Sequence, residues 1–263
     1  MNRPSNGGAR VARPTLQYAF ITLFALTLVL CTTPARAMHL PEGVLSANWA
    51  VAWFLASAPF VFWGLRTIQR RRAEDPRVMP LVALVGSAIF VISCMPVPIP
   101  VICSCSHPCG TGLGALIIGP GPTIVVASIA LLFQALFLSH GGLTTWGANI
   151  FSMGVMGALS AYVVFRGLRS LRVPVFAAAM VAGLLSDWAT YLTTSLELAA
   201  PLHGDGAMGT MFIAAVLAFV PTQVPLGIAE GILTAVAYRF VLARRPELLA
   251  VPCGLPSIAG AKI

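Results

Sequence analysis

Long apolar stretches separated by short polar or basic segments run along most of the chain. Six of them lie at about 47–65, 78–95, 112–139, 144–165, 173–199 and 208–238. A run of about 18 or more apolar residues has the length of a membrane-crossing helix, whereas a membrane barrel needs short segments that alternate in polarity. The pattern therefore predicts an all-α polytopic protein embedded in the lipid bilayer.

Clusters of arginine follow the first, fourth and last apolar stretches, at residues 66–77, 166–172 and 239–245. Because positive charge collects on the cytoplasmic side, the number of crossings between the first two clusters must be even. The stretch 112–139 then counts as two spans, broken at Gly119-Pro120-Gly121-Pro122. This predicts a domain of seven spans over residues 38–245, with its amino terminus outside, and a short cytoplasmic tail at 246–263.

Residues 1–37 have the layout of a cleavable signal peptide. A basic segment precedes an apolar core at 18–33, and Ala35 and Ala37 form the small-x-small pattern of a cleavage site. Cleavage after Ala37 would make Met38 the first residue of the mature protein. The alternative is an uncleaved first transmembrane helix.

Composition narrows the function classes. The chain is 58% hydrophobic and 9% charged, which excludes an ordinary soluble globule. Its formal net charge of +8 does not indicate nucleic-acid binding, because the arginines lie between the apolar spans. The sequence contains no Walker, Gly-x-Ser-x-Gly or His-Glu-x-x-His motif, so we expect no catalysis and no ATP hydrolysis by this chain.

A mature terminus beginning Met38-His39 would be a chelator. The free amine, the amide nitrogen of His39 and the Nδ1 atom of its ring can bind one ion through a five-membered and a six-membered ring. Three nitrogens in one plane suit Ni(II), Cu(II) or Co(II) and leave a position for a second histidine. The alternative is an interfacial histidine with no metal.

His107 is the expected fourth ligand. Two predicted spans separate it from His39, so its irregular, proline- and glycine-rich loop lies on the same side of the membrane as His39. Ser104, Ser106 and Thr111 would then orient the other nitrogen of the His107 ring. A hydrogen-bonding role for His107 without metal is the alternative.

Three cysteines lie around the same loop, at Cys103, Cys105 and Cys109. They could form a soft Cu(I) or Zn(II) site with His107, form a disulfide on the oxidising side, or be inert buried residues. Polar residues also lie inside the apolar spans. Asp187, Glu197 and Glu230 would relay protons, steer cations or pair within the bundle, and Gln134 and Asn149 would hydrogen-bond between helices.

Several motifs in a fixed order resemble the CbiM/NikM family. They are Met38-His39-x-x-Glu42-Gly43, Ser104-Cys105-Ser106-His107-Pro108-x-Gly110-Thr111-Gly112-Leu113-Gly114, Leu132-Phe133-Gln134-Ala135-Leu136, His140-Gly141-Gly142-Leu143-Thr144-Thr145-x-Gly147-Ala148-Asn149, Asp187-x-Ala189-Thr190-Tyr191-x-Thr193-Thr194-Ser195 and Pro225-Leu226-x-Ile228-x-Glu230-Gly231. The resemblance extends from about residue 38 to residue 238. The Ser-Cys-Ser-His-Pro loop is more similar to the cobalt branch, although Cys103 and Cys109 replace an expected glycine and threonine.

The resemblance implies the substrate-binding component of an energy-coupling factor transporter in the cell membrane, which captures Co(II) for cobalamin synthesis or, alternatively, Ni(II). The implied ligands are Met38, His39 and His107. Beyond what the resemblance implies, Asn149 is a candidate supporting residue, and Cys105, His140, Asp187 and Glu230 are further candidates for the site. The implied partners are a transmembrane coupling protein, ATPase subunits and a small accessory membrane subunit. Alternatives of other classes are a copper-handling or thiol redox membrane protein and a passive channel.

Overall fold

The computed structural model describes residues 39–95, 97–99, 104–204 and 206–249, and for Val97–Ile99, Ser104 and Cys105 it describes the backbone only. The predicted signal peptide, Met38, Cys103 and the tail from residue 250 therefore lie outside the described residues. The described part is built of helices, as the sequence predicts. These are α1 (Ala47–Glu74), α2 (Val78–Ser93), α3 (Thr111–Ile117), α4 (Pro120–Phe137), α5 (Trp146–Ser170), α6 (Val175–Leu202) and α7 (Met208–Arg244), followed by a 3₁₀ turn at Pro246–Leu248.

Helices form in all the segments that the sequence predicts, including both halves of 112–139. Gly119, at φ 85°, separates α3 from α4, and Pro120 occupies the first turn of α4. Five of the described helices are long and apolar enough to cross a membrane, and α2 is a shorter apolar helix of 16 residues. The seven residues of α3 rise only about 10 Å, so α3 is a largely buried half-helix rather than a complete span.

The proline-rich segment before α3 is not helical, as expected. It contains a short antiparallel pair, β1 (Val97–Ile99) and β2 (Ser104–Ser106), in which Val97 lies opposite Ser106. This pair leads directly into the loop that carries His107.

Small residues let the helices approach closely. A Cβ atom at Gly183 of α6 would lie 2.6 Å from Thr234 Oγ1 of α7, and one at Gly157 of α5 would lie 2.7 Å from Thr111 Oγ1. Gly157 ends a π-helical section of α5, Ile150–Gly157. Close contact of backbones is the usual basis of helix packing within a membrane, where burial of apolar side chains contributes little.

The arginine-bearing ends of α1, α5 and α7 lie at the same end of the bundle. Near the end of α1, Arg71 Nη1 donates to the carbonyl of Ile118, where α3 ends. The ring of Phe165 in α5 packs 5.1 Å from that of Tyr238 in α7. The start of α5 lies at the other end, next to residues 39–45, so the arginines and histidines 39, 107 and 140 occupy opposite ends.

Candidate metal-binding site

The segment that carries His39 is docked against the start of α5. The Leu40 N–H donates to Asn149 Oδ1 at 2.9 Å, and the Thr145 hydroxyl donates to the Leu40 carbonyl. The Glu42 carboxylate accepts the Thr144 N–H at 3.1 Å, and hydrogen bonding to Thr144 lowers the pKa of Glu42. These bonds fix the backbone that directly follows His39.

Two glycines allow this docking. Gly141 has φ 87°, and a Cβ atom there would lie 3.1 Å from the Cβ of His39. A Cβ atom at Gly142 would lie 2.6 Å from the backbone nitrogen of Glu42. The His140-Gly-Gly sequence is thus required by the close approach of two backbones.

The loop that carries His107 is held by α6 and α7. The Tyr191 hydroxyl donates to the carbonyl of His107 at 3.0 Å. The Glu230 carboxylate accepts the backbone N–H groups of Cys109 and Gly110 at 2.7 and 2.8 Å. Gly110 has φ 70°, a conformation that favours glycine. The position of the His107 backbone is therefore determined by two helices that are distant in sequence.

Three imidazoles meet between these two segments. The ring centroid of His39 lies 4.6 Å from that of His107 and 4.8 Å from that of His140, and His107 and His140 are 5.1 Å apart. Each ring offers one nitrogen, and these three atoms all lie within 4.8 Å of one another. The contact between His39 and His107 agrees with the prediction that both residues lie on the same side of the membrane.

Hydrogen bonds decide which ring nitrogens are free. Gln134 Nε2 donates to Ser93 Oγ at 2.7 Å, so its Oε1 faces His39 and accepts from His39 Nε2 at 3.1 Å. The Pro108 carbonyl can only accept, so His107 Nδ1 donates to it at 3.1 Å. Nδ1 of His39 and Nε2 of His107 are left to bind a metal.

Burial keeps the three rings in the form that binds metals. Desolvation lowers the pKa of His39 well below its ordinary value, with a further contribution from the two neighbouring rings. Desolvation is also the main cause that lowers the pKa of His107 and of His140 to about 4. All three imidazoles are therefore neutral at pH 7.

The structure gives the predicted supporting residues different roles. The Ser106 hydroxyl accepts from Gln223, and Thr111 Oγ1 has no hydrogen-bond partner among the described residues. His107 Nδ1 donates to the Pro108 carbonyl instead, so neither Ser106 nor Thr111 orients the ring through that nitrogen, and the side chain of Ser104 lies outside the described part of the chain. Asn149 supports the backbone next to His39. Gln134, which the sequence predicts only as a hydrogen-bonding link between helices, orients the His39 ring.

A second cluster contains Cys109, Asp187 and Glu230. Cys109 Sγ lies 3.8 Å from Asp187 Oδ1, and one ligand atom from each of the three residues lies within 4.8 Å of the other two. The Cys109 thiol is free and buried. Burial, helped by the nearby carboxylates, raises the pKa of this thiol, so it stays protonated at neutral pH. Cys109 therefore belongs to this carboxylate cluster and not to the group of three imidazoles, and Glu197 is a further fully buried acid in α6.

The chain is similar to known cobalt transport proteins. A family model described as "Cobalt uptake substrate-specific transmembrane region" matches residues 39–248. The chain is 51% identical over 212 residues to the cobalt transport protein CbiM of Sorangium cellulosum, covering 81% of this chain and 94% of that protein. It is 48% identical over 235 residues to CbiM of Geobacter sulfurreducens, covering 88% and 68%.

Solved structures share the fold. The crystal structure of a truncated transition metal transporter aligns with a TM-score of 0.69 and 25% identity, covering 78% of this chain and 99% of that one. A second transition metal transporter aligns with a TM-score of 0.70 at 24% identity. Because the family model covers most of the chain and the CbiM proteins are similar over most of their length, this chain belongs to the CbiM family.

Proposed function

We propose that this chain is the substrate-capture component of an energy-coupling factor transporter that imports Co(II). The observation that carries the proposal is the close group of three imidazoles, in which hydrogen bonds to the other ring nitrogen leave His39 Nδ1 and His107 Nε2 available for a metal. The cobalt transport function of the CbiM relatives agrees with it. The chain captures the ion and does not hydrolyse ATP.

In this proposal, four nitrogens surround the ion in one plane. Signal peptidase cleavage after Ala37 supplies the free amine of Met38. His39 supplies its amide nitrogen, deprotonated when the metal binds, and its Nδ1 atom, while His107 supplies Nε2. The hydrogen bond from His39 Nε2 to Gln134 supports this arrangement, because it leaves Nδ1 as the atom that closes the six-membered chelate ring.

The distribution of charge supports capture from outside. The arginine-bearing ends of α1, α5 and α7 are at the cytoplasmic side under the positive-inside rule, so the three histidines at the opposite end face outward. The sequence contains no ATP-binding loop, so accumulation of the ion needs partners. We propose a transmembrane coupling protein, ATPase subunits and a small accessory membrane subunit, with the cobalt used for cobalamin synthesis.

Ni(II) is the alternative cargo, because the same four nitrogens in a plane also suit that ion. The alternative hypothesis is a copper-handling or thiol redox membrane protein. The position of Cys109 disfavours it, because this thiol is protonated and belongs to the carboxylate cluster rather than to the group of imidazoles.

The test is a Co(II) titration of the purified mature chain and of the variants His39→Ala and His107→Ala. Each variant removes a ligand in the plane, so we expect affinity to fall by more than about 100-fold, beyond the loss typical of a supporting residue. The control is His203→Ala, at the end of α6, whose Nδ1 contacts the carbonyl of Ala200. Wild-type affinity in the His107→Ala variant would contradict the proposed site.

A further inference from the structure

The imidazole of His140 is not one of the four in-plane ligands proposed above. His140 Nε2 is buried and has no hydrogen-bond partner among the described residues. A buried polar nitrogen without a partner is costly unless a ligand satisfies it. The His140 ring also offers one nitrogen within 4.8 Å of the nitrogens that the two other histidines offer.

The backbone around His140 holds the ring in this place. The His140 N–H donates to the Gln134 carbonyl at 3.1 Å, just past the end of α4. Ser139 before it has φ 51° and Gly141 after it has φ 87°. A positive φ at a serine is uncommon and costs about 1–2 kcal/mol. Strain of this kind often marks residues whose side chains must point in one direction for function.

The angle between the rings indicates where His140 would bind. The six-membered chelate ring is fused to the His39 imidazole, so that imidazole lies in the plane of the four nitrogens. The ring plane of an axial imidazole contains its metal–nitrogen bond and must therefore be perpendicular to the His39 ring. The interplanar angle between His39 and His140 is 85°. The interplanar angle between His39 and His107 is 61°. This angle is compatible with an in-plane role for His107, because its ring can rotate about the metal–nitrogen bond.

We infer that His140 Nε2 binds the captured ion along the axis of the plane, which makes the site five-coordinate and favours Co(II) over Ni(II). This inference rests on the proposed four-nitrogen chelate. A strong in-plane field that includes a deprotonated amide makes both ions low-spin. Low-spin Ni(II) remains square-planar, whereas low-spin Co(II) readily takes a fifth ligand. An axial imidazole therefore adds affinity for Co(II) and little for Ni(II).

Electron paramagnetic resonance of the Co(II)-loaded chain, recorded without oxygen, tests the axial bond directly. The unpaired electron of low-spin Co(II) points along the axis, so an axial nitrogen splits each cobalt line into a triplet. We expect the triplet in the wild type and in His203→Ala, and its loss in His140→Ala. His140→Gln is a second variant of similar polarity, which also removes the triplet because an amide oxygen carries no nuclear spin.

Titrations with the two metals provide the selectivity readout. In His140→Ala we expect Co(II) affinity to fall by about tenfold, with Ni(II) affinity changed by less than about twofold. A triplet that persists in His140→Ala, or equal weakening for both metals, would overturn the axial role. A wild-type protein that binds Co(II) but shows no triplet would also overturn the axial role of His140, while remaining consistent with the four-nitrogen chelate. A wild type that binds neither metal would instead contradict the proposed function.

Discussion

At the scale of single residues, the site depends on the choice between the two nitrogens of each imidazole. Gln134 makes this choice for His39, because its amide is itself oriented by Ser93 in α2. The Ser93 hydroxyl donates to the Phe90 carbonyl, which leaves its oxygen to accept from Gln134. A chain of three hydrogen bonds from the end of α2 thus sets the direction in which His39 offers its metal-binding nitrogen.

Gln134→Leu is predicted to reduce Co(II) affinity by about 10- to 100-fold, because it removes the acceptor that fixes the His39 ring. Gln134→Glu keeps an acceptor at the same place and is predicted to retain more affinity than Gln134→Leu. Metal titration of both variants measures the effect. Ser87→Ala, which removes an exposed hydroxyl bonded within α2, is the control. Equal affinity in wild type and Gln134→Leu would show that the ring needs no orienting partner.

At the scale of elements, the His107 loop is tied to the pair of helices α6 and α7. Glu230 is 2% exposed, and its carboxylate satisfies two backbone N–H groups that the irregular loop cannot pair internally. Tyr191 in α6 holds the carbonyl of His107 from the other side. Any shift of α7 relative to α6 therefore acts on the loop that carries a proposed ligand.

Glu230→Ala is predicted to weaken Co(II) binding and to lower the melting temperature of the metal-free protein. The change leaves two buried N–H groups without an acceptor, at about 1–3 kcal/mol for each. Thermal unfolding in detergent and metal titration measure the two effects. Glu74→Gln removes the exposed ion pair with Arg70 and should change neither quantity. The role of Glu230 would be contradicted if Glu230→Ala had the same melting temperature and the same Co(II) affinity as Glu74→Gln.

At the scale of the whole molecule, the apolar stretches of the sequence were sufficient to predict the helical fold class. The length of the apolar stretches predicted the helices, and Gly119-Pro120 predicted the break between α3 and α4, as the structure confirms. What length and hydropathy could not reveal is that α3 stays buried as a half-helix, because its depth is set by packing against α5 and α6.

The candidate metal-binding site was harder to predict from the sequence than the fold was. His39 and His107 were found because each lies in an unusual local context, a cleavage site and an irregular loop. The meeting of His140 with both rings depends on the docking of residues 39–45 against α5, which no local pattern encodes. The same is true of Gln134, whose position in an apolar span gave no sign of which residue it contacts. Ser106, next to His107 in sequence, was expected to orient the His107 ring, whereas the Nδ1 atom of that ring bonds the backbone carbonyl of Pro108.

Native mass spectrometry of the protein extracted from the membrane and loaded with Co(II) tests the central claim most directly, because one spectrum reports both the first residue and the bound metal. The account predicts a chain that begins at Met38 and carries one cobalt ion, with the ion absent from the His39→Ala variant. A chain that retains residues 1–37 and still binds one cobalt ion would contradict the account, since no free amine would then adjoin His39.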